Sequence, residues 1–216
     1  MAKKKSHSKK RRSGGLPEVI RLVEYEITYE PIEEDYIKRL PDDVKDRIEA
    51  LHGLAQEQPA QAIPELLALI EKYPDVPTFF NYLYVAYTLL EQEANAKAVL
   101  AECCKKHPDY LFAKLSLAGI CLREGKAEKI PEIFDNKFDL SLLYPDRRTF
   151  HISEYVGFAT MMGLYYCETG KPDTAKTLLD TLEDLAPEHP LTERLRNRLL
   201  PEIMMRNFEK LKRRKK

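Results

Sequence analysis

The stretch GLYYCETGKPDTAKTLL, residues 163–179, sets a cysteine beside two tyrosines, an acid and a glycine. It reads either as a reactive centre or as the seam between two packed helices. No histidine lies within helical reach of Cys167 to activate it, so the thiol is expected to be a small packing residue. Gly170 suits the left-handed residue that ends a helix, and a second helical run restarts after it, with Ala175 and Leu179 on one face. The stretch is therefore a helix end, a glycine turn and a helix start.

The same punctuation recurs along the chain. Pro74 and Pro108 stand 34 residues apart, and Pro187 follows after two such intervals plus eleven. Ala62, Ala96 and Ala175 keep these spacings, as do Leu66, Leu100 and Leu179, and Leu69, Cys103 and Leu182. In the helices before them, the columns are Leu83, Leu117 and Met162; Tyr84, Ala118 and Gly163; and Tyr87, Cys121 and Tyr166, with Gly125 and Gly170 at a matching offset. Recurrence at such a period marks stacked helix pairs, in which each pair exposes an apolar flank that only the next can cover. Small residues at Ala118 and Gly163 leave room for a neighbouring helix to cross, and the three prolines end the second helices.

This pattern resembles the tetratricopeptide repeat, a 34-residue helix–turn–helix unit with a Leu-Gly and Tyr on its first helix and Ala, an aromatic residue and Pro on its second. The best match is Gly163, Tyr166, Gly170, Ala175, Leu179 and Pro187, with Met162 in place of Leu. Next is Phe80, Leu83, Tyr87, Ala96, Leu100 and Pro108, with Tyr84 in the usually small position. A first unit near 43–76 keeps only its second-helix landmarks, and a third, from 111, has Ile130 for Ala and lacks the closing Pro. The resemblance covers about 43–189. It implies an all-α fold: a right-handed α-solenoid of antiparallel helix pairs, about four units over 42–190, with a capping helix at 191–209. It also implies a concave groove, lined by the first helices, that receives a peptide or helix.

Helical periodicity maps Asn81, Tyr82, Val85 and Leu89 to that groove, then Phe112, Leu115, Ser116 and Gly119, then Thr160, Met161 and Leu164. The lining is largely uncharged. Family members that clamp a terminal carboxylate use Lys, Asn and Arg, because a charged fork is needed for that charge. Here one frame offers Asn81, Val85, Ser116, Gly157 and Met161, and an earlier one offers Arg47, Leu51, Tyr82, Phe112 and Ser116. An amphipathic helix or an extended apolar segment suits this surface better than a carboxylate. Contacts within the chain would fill it equally well.

The net charge of zero conceals a division. Residues 1–12 and 210–216 carry thirteen of the 35 bases and no acid, so 22 bases face 35 acids between them. Residues 1–15 and 210–216 are expected to be disordered basic tails, since they offer no apolar surface to offset ordering. Lys3, Lys4, Lys5, Lys9, Lys10, Arg11, Arg12, Arg213 and Arg214 are their candidate anion contacts, to nucleic acid or anionic lipid. Keeping the protein soluble, or folding back on its acidic body, is the other reading of the same charges.

Between the first tail and the repeats, residues 16–41 read as extended or partly ordered. Val23, Tyr25, Ile27 and Tyr29 alternate with polar residues in strand fashion, a segment suited to covering a solenoid edge. Pro41, Asp42 and Asp43 then start the first repeat helix. The eleven-residue excess lies near 136–148, where Phe138, Leu140, Leu142, Leu143 and Tyr144 make an apolar insertion. Beyond 190, Leu191, Leu195, Leu199, Ile203, Met204, Phe208 and Leu211 continue a helical stripe that Pro201 should kink or divide.

No enzymatic constellation emerges. Cys103 and His107 are four apart, but Cys103 sits in an apolar column and two ligands do not close a zinc site. His151 and Glu154 share a helix face without a nucleophile. The four cysteines read as reduced, buried thiols. There is no run of 18 apolar residues and no apolar stretch behind the charged N-terminus, so neither a transmembrane segment nor a secretory signal is expected. The reading is a cytoplasmic, non-catalytic scaffold that binds a protein or peptide. No cofactor, metal or small-molecule substrate is expected, and nucleic acid is a further candidate partner through the tails.

Overall fold

A computed structural model describes the backbone of residues 25–214 and the side chains of 25–201 and 204. It is mostly helical, with eleven α-helices among the described residues. A short strand β1 (Glu26–Thr28) and a one-turn helix α1 (Asp35–Lys38) come first. The hairpins α2 (Asp42–Glu57)/α3 (Pro59–Lys72) and α4 (Pro77–Leu89)/α5 (Glu93–Lys106) follow, then α6 (Leu111–Arg123). After the short helices α7 (Ile130–Ile133) and α8 (Leu140–Leu143) and strand β2 (Thr149–His151) come α9 (Ile152–Glu168), α10 (Pro172–Leu185) and α11 (Pro190–Arg214).

The landmark columns close the helices. The helices α4, α6 and α9 end with Glu91, Gly125 and Gly170 at φ of 56°, 68° and 72°. In each, the N–H of the following residue donates back to the column residue: Gln92 to Tyr87 at 2.9 Å, Lys126 to Cys121 and Lys171 to Tyr166 at 2.8 Å. This is the six-to-one bond of a left-handed helix cap, which satisfies a carbonyl that would otherwise be orphaned. Second helices end differently. Tyr73, His107 and Ala186 precede the three prolines and adopt nearly one conformation, φ −129°, −130° and −150° with ψ 64°, 67° and 62°. A following proline excludes the helical region for the residue before it, so the helix stops there. The last helical bonds run from these residues to Leu69, Cys103 and Leu182, the third column.

Each hairpin packs on its neighbours. Helix α4 packs on α2 and α3 as well as α5, and α9 packs on α6, α10 and α11. The buried side chains fall into three contiguous clusters that succeed one another along the chain. Ala62, Leu66, Phe80, Leu83, Ala118, Met162, Ala175 and Leu182 are all essentially inaccessible. Gly163 admits α11: a Cβ built there would lie 2.5 Å from Leu195 Cδ2. Gly157 does the same for α6, where the clash would be with Leu115 Cδ1 at 2.8 Å.

The helical packing agrees with the all-α expectation, to which β1 adds a short parallel pairing with β2, Ile27 opposite Phe150. Several finer expectations need correction. Within the alternating stretch, Glu26–Thr28 form a strand whose partner directly follows the insertion, a segment that carried no strand signal of its own. Leu117 is 37% exposed rather than buried with Leu83 and Met162. The helix that should cover it is cut to a 3-10 turn at Ala127–Lys129 and the single turn α7, stopped by Asp135 and Asn136 at positive φ. Pro201 does not divide the last helix, which runs unbroken from Pro190 to Arg214 and takes 210–214 out of the expected tail. Cys104 is half-buried, whereas Cys103, Cys121 and Cys167 are buried. The expected tail at 1–15, with Lys3, Lys4, Lys5, Lys9, Lys10, Arg11 and Arg12, lies outside the described residues, as do the side chains of Arg213 and Arg214.

The turn geometry sets up a paired test. At Gly170 an added Cβ meets no atom within 4 Å, so Gly170→Ala isolates the backbone cost and should lower stability by about 1 kcal/mol. Glu91→Gly should raise it by about 0.5 kcal/mol by releasing the same strain, less the added chain entropy of glycine. Denaturant midpoints at constant m-value read both. Gly163→Ala should cost roughly 1–3 kcal/mol by overpacking, and its penalty should be non-additive with that of Leu195→Ala.

Candidate functional site

The mapped groove residues divide by helix. On α4, Asn81, Tyr82 and Val85 are half-buried and Leu89 is 53% exposed. On α6, Phe112 and Ser116 are half-buried, and the Tyr110 ring stands 5.7 Å from that of Phe112. On α9 the mapping fails, because Thr160, Met161 and Leu164 are 2%, 7% and 6% exposed and thus closed to a partner. The cause is coverage from both sides. Met161 Cε lies 3.9 Å from the Cβ position of Gly119 on α6, and Leu164 packs in a cluster with Leu195 and Leu199 of α11.

What remains accessible is a face built by α2, α4 and α6. Helix α2 adds His52, whose ring lies 5.2 Å from Tyr82 and whose Nε2 is 2.7 Å from Gln56 Nε2. The sequence did not single out His52. The first unit lacks first-helix landmarks, and the 34-residue ruler sets Leu51 opposite Val85, yet Leu51 is fully buried. One residue of phase separates a core leucine from a surface histidine.

Phenols dominate the end of this face. Burial pushes Tyr82 and Tyr36 up to about 12, and Tyr110 well above its ordinary value, with Tyr36 and Tyr82 adding to the effect at Tyr110. All three remain neutral hydroxyls at physiological pH and offer hydrogen bonds without charge. Thr78 Oγ1 donates to the Tyr36 hydroxyl at 3.5 Å, so α1 is drawn onto the start of α4.

Neither frame of a carboxylate clamp is assembled. Arg47 is held by Glu65 through two bonds, Nε–Oε1 at 2.8 Å and an Nη2–Oε2 bond of 2.9 Å, joining α2 to α3. That pairing keeps the Glu65 carboxyl below its usual range. Other singled-out side chains have structural work. His107 Nε2 lies 3.0 Å from the Pro74 carbonyl, linking successive units, and burial pushes the Cys103 thiol up to about 12, out of thiolate chemistry. His151 caps α9: its Nδ1 accepts from the Ser153 N–H at 3.2 Å while Glu154 Oε2 accepts from the His151 N–H at 2.9 Å.

Arg147 then binds that capping carboxylate. Its two terminal nitrogens each lie 2.8 Å from a Glu154 oxygen, and its guanidinium sits 4.4 Å from the centre of the Phe150 ring. Glu34 approaches to 3.9 Å, so the N-terminal segment, the insertion and α9 meet at one cation. Among the described residues, no group of three or more His, Cys, Asp or Glu side chains is arranged to hold a metal ion. No protein-family model, curated protein or solved structure matches the chain.

Two hydroxyls, Thr160 Oγ1 and Thr192 Oγ1, are buried without a hydrogen-bond partner. Removing such a group while keeping its shape relieves a desolvation cost of about 1–3 kcal/mol. Thr160→Val should therefore hold or raise the thermal midpoint, whereas a clear drop would mean that Thr160 is hydrogen-bonded in solution.

Proposed function

We propose that this protein is a non-catalytic scaffold of the tetratricopeptide-like kind, a right-handed solenoid working in the cytoplasm. It recognises a protein segment on the face made by α2, α4 and α6. The observation that carries this reading is the half-open row Asn81, Tyr82, Val85 and Phe112, next to the exposed Leu89, on helices whose core-facing residues, such as Phe80, Leu83, Ala113 and Ala118, are buried. Neutral phenols and apolar flanks give area and hydrogen bonds without a fixed charge, which fits an amphipathic helix or an extended apolar segment. The cap and pre-proline geometry, repeated at a 34-residue interval that the eleven-residue excess lengthens once, supports the family reading.

The charge division favours a second reading, an adaptor whose basic ends attach to RNA or ribosomes while the acidic body recruits protein. Salt separates the two. Binding to ribosomal RNA that weakens steeply with salt, and is lost when the bases in 1–12 and 210–216 are replaced, supports the adaptor; no binding at low salt excludes it. For the scaffold, partners captured by the intact protein should be lost from a Tyr82→Ala/Phe112→Ala variant that keeps its helical circular dichroism. Retention of the same partners by that variant would refute the assigned face.

A further inference from the structure

Residues 25–40 touch both halves of the array. Tyr25 packs its ring on Phe150 and Tyr155, 5.1 and 6.5 Å away, against the second cluster of buried side chains. Strand β1 then pairs with β2 and lies on α9, and the Tyr29 hydroxyl donates to the Leu185 carbonyl at the end of α10, at 2.8 Å. Glu34 approaches Arg147 to 3.9 Å. Two residues later the chain has crossed over. The Tyr36 hydroxyl accepts from Thr78 in the first turn of α4 and acts on Tyr110 just before α6, while Tyr36, Ile37 and the buried Leu40 pack into the first cluster. These points are starts of first helices or ends of second ones, so the segment runs along one edge of the stack.

The halves that it bridges meet along α6. Ala113 and Ile120 of that helix pack into the first cluster, and Leu111, Ala118 and Cys121 into the second. In a stack of helix pairs each pair touches its neighbours, so a segment that passes from the last pair to the first two constrains the curvature of the whole. Yet this segment is lightly held. None of residues 25–39 is buried. Arg147 already gives both terminal nitrogens to Glu154 at 2.8 Å, and Glu34 takes a third, longer place. Burial makes that a poor place for a carboxylate and pushes the Glu34 carboxyl above its ordinary value despite the cation. Few buried side chains and exposed polar contacts mark the part of a fold that opens first.

We infer that residues 25–40 are a releasable strap, fastened by Tyr29 and Glu34 to the later helix pairs and by Tyr36 to α4, which fixes the angle between the two halves and opens without unfolding either. Its root is firm, because Leu40 and Val44 are buried beside α2. The end that lets go is therefore the one carrying β1. Helices α4 and α6 flank the joint, so opening changes the spacing of the row between them. That consequence rests on the recognition face proposed above, whereas the strap stands without it.

A Tyr29→Phe/Glu34→Gln variant of the full-length chain removes both later fastenings and keeps the side-chain volumes. Amides of 26–28 and 149–151 should exchange with solvent about tenfold faster than in the unaltered protein, while 156–164 keep their protection. Spin labels on p-acetylphenylalanine at Glu71 and Asp184, both exposed and in opposite halves, should report a broader distance distribution in the variant. Unchanged exchange at 26–28 and 149–151 would mean that these contacts do not hold the segment. Faster exchange there with an unaltered distance distribution would mean that it does not set the angle. Lost protection of 156–164 would make it part of the core. Each of the three results overturns the proposal.

Discussion

Helix α9 has no side it can leave in water. Nine consecutive residues, Val156–Leu164, are buried, whereas a surface helix buries only a stripe. A helix of this kind exists only where neighbours enclose it. Those neighbours are α6, α10 and α11, with β1 and β2 at its start. Two glycines set how close they come, Gly157 under α6 and Gly163 under α11. The large side chains then fill the remaining gaps, Phe134 against Phe158 in an edge-to-face pair at 5.4 Å. The closing helix α11 is held at its rim by ion pairs, Arg196 with Glu183 and Arg198 with Glu168. These exposed pairs add little energy and mainly fix orientation; the buried Leu195 and Leu199 supply the attachment.

The first half of the chain obeys the same constraint more loosely. There α2 to α5 share one cluster around Phe79, Phe80 and Leu83, and α4 keeps a row that no later helix covers. The third pair accounts for the difference. Its second helix is too short to act as a full layer, so α6 is covered by α5, α9 and the short turns at 127–133, and stacking of full helices resumes only with α9 and α10. The interrupted unit thus leaves Leu117 of α6 without the cover that the full helices give Leu83 and Met162.

Much of this could be read from spacing because the repeated residues perform backbone functions that recur with the fold. Tyr87, Cys121 and Tyr166 share a column as acceptors of the helix-closing bonds, and Leu69, Cys103 and Leu182 share another for the same reason. The start of α11, expected near 191 from its apolar stripe, lies at Pro190; Pro77, Leu111 and Pro190 each open a helix three residues after one of the three prolines. Contacts between distant segments were not legible. Nothing local in TFH at 149–151 says strand, since three residues become one only when β1 arrives. The burial of Thr160, Met161 and Leu164 likewise depends on what α11 covers, which periodicity within α9 does not encode. His52 was lost by one position of phase, in the unit with the fewest landmarks.

Pairing Glu26 with Thr149 has a consequence for the birth of the molecule. A chain made from its N-terminus exposes β1 early, yet the backbone that receives it is synthesised roughly 120 residues later, on the order of ten seconds at ordinary translation rates. The hairpins α2/α3 and α4/α5 find their partners within a few tens of residues and are free to form meanwhile. Strand β1 leaves the ribosome early and is thus among the last elements to be fastened, and the tyrosines that flank it must stay unclaimed for the interval.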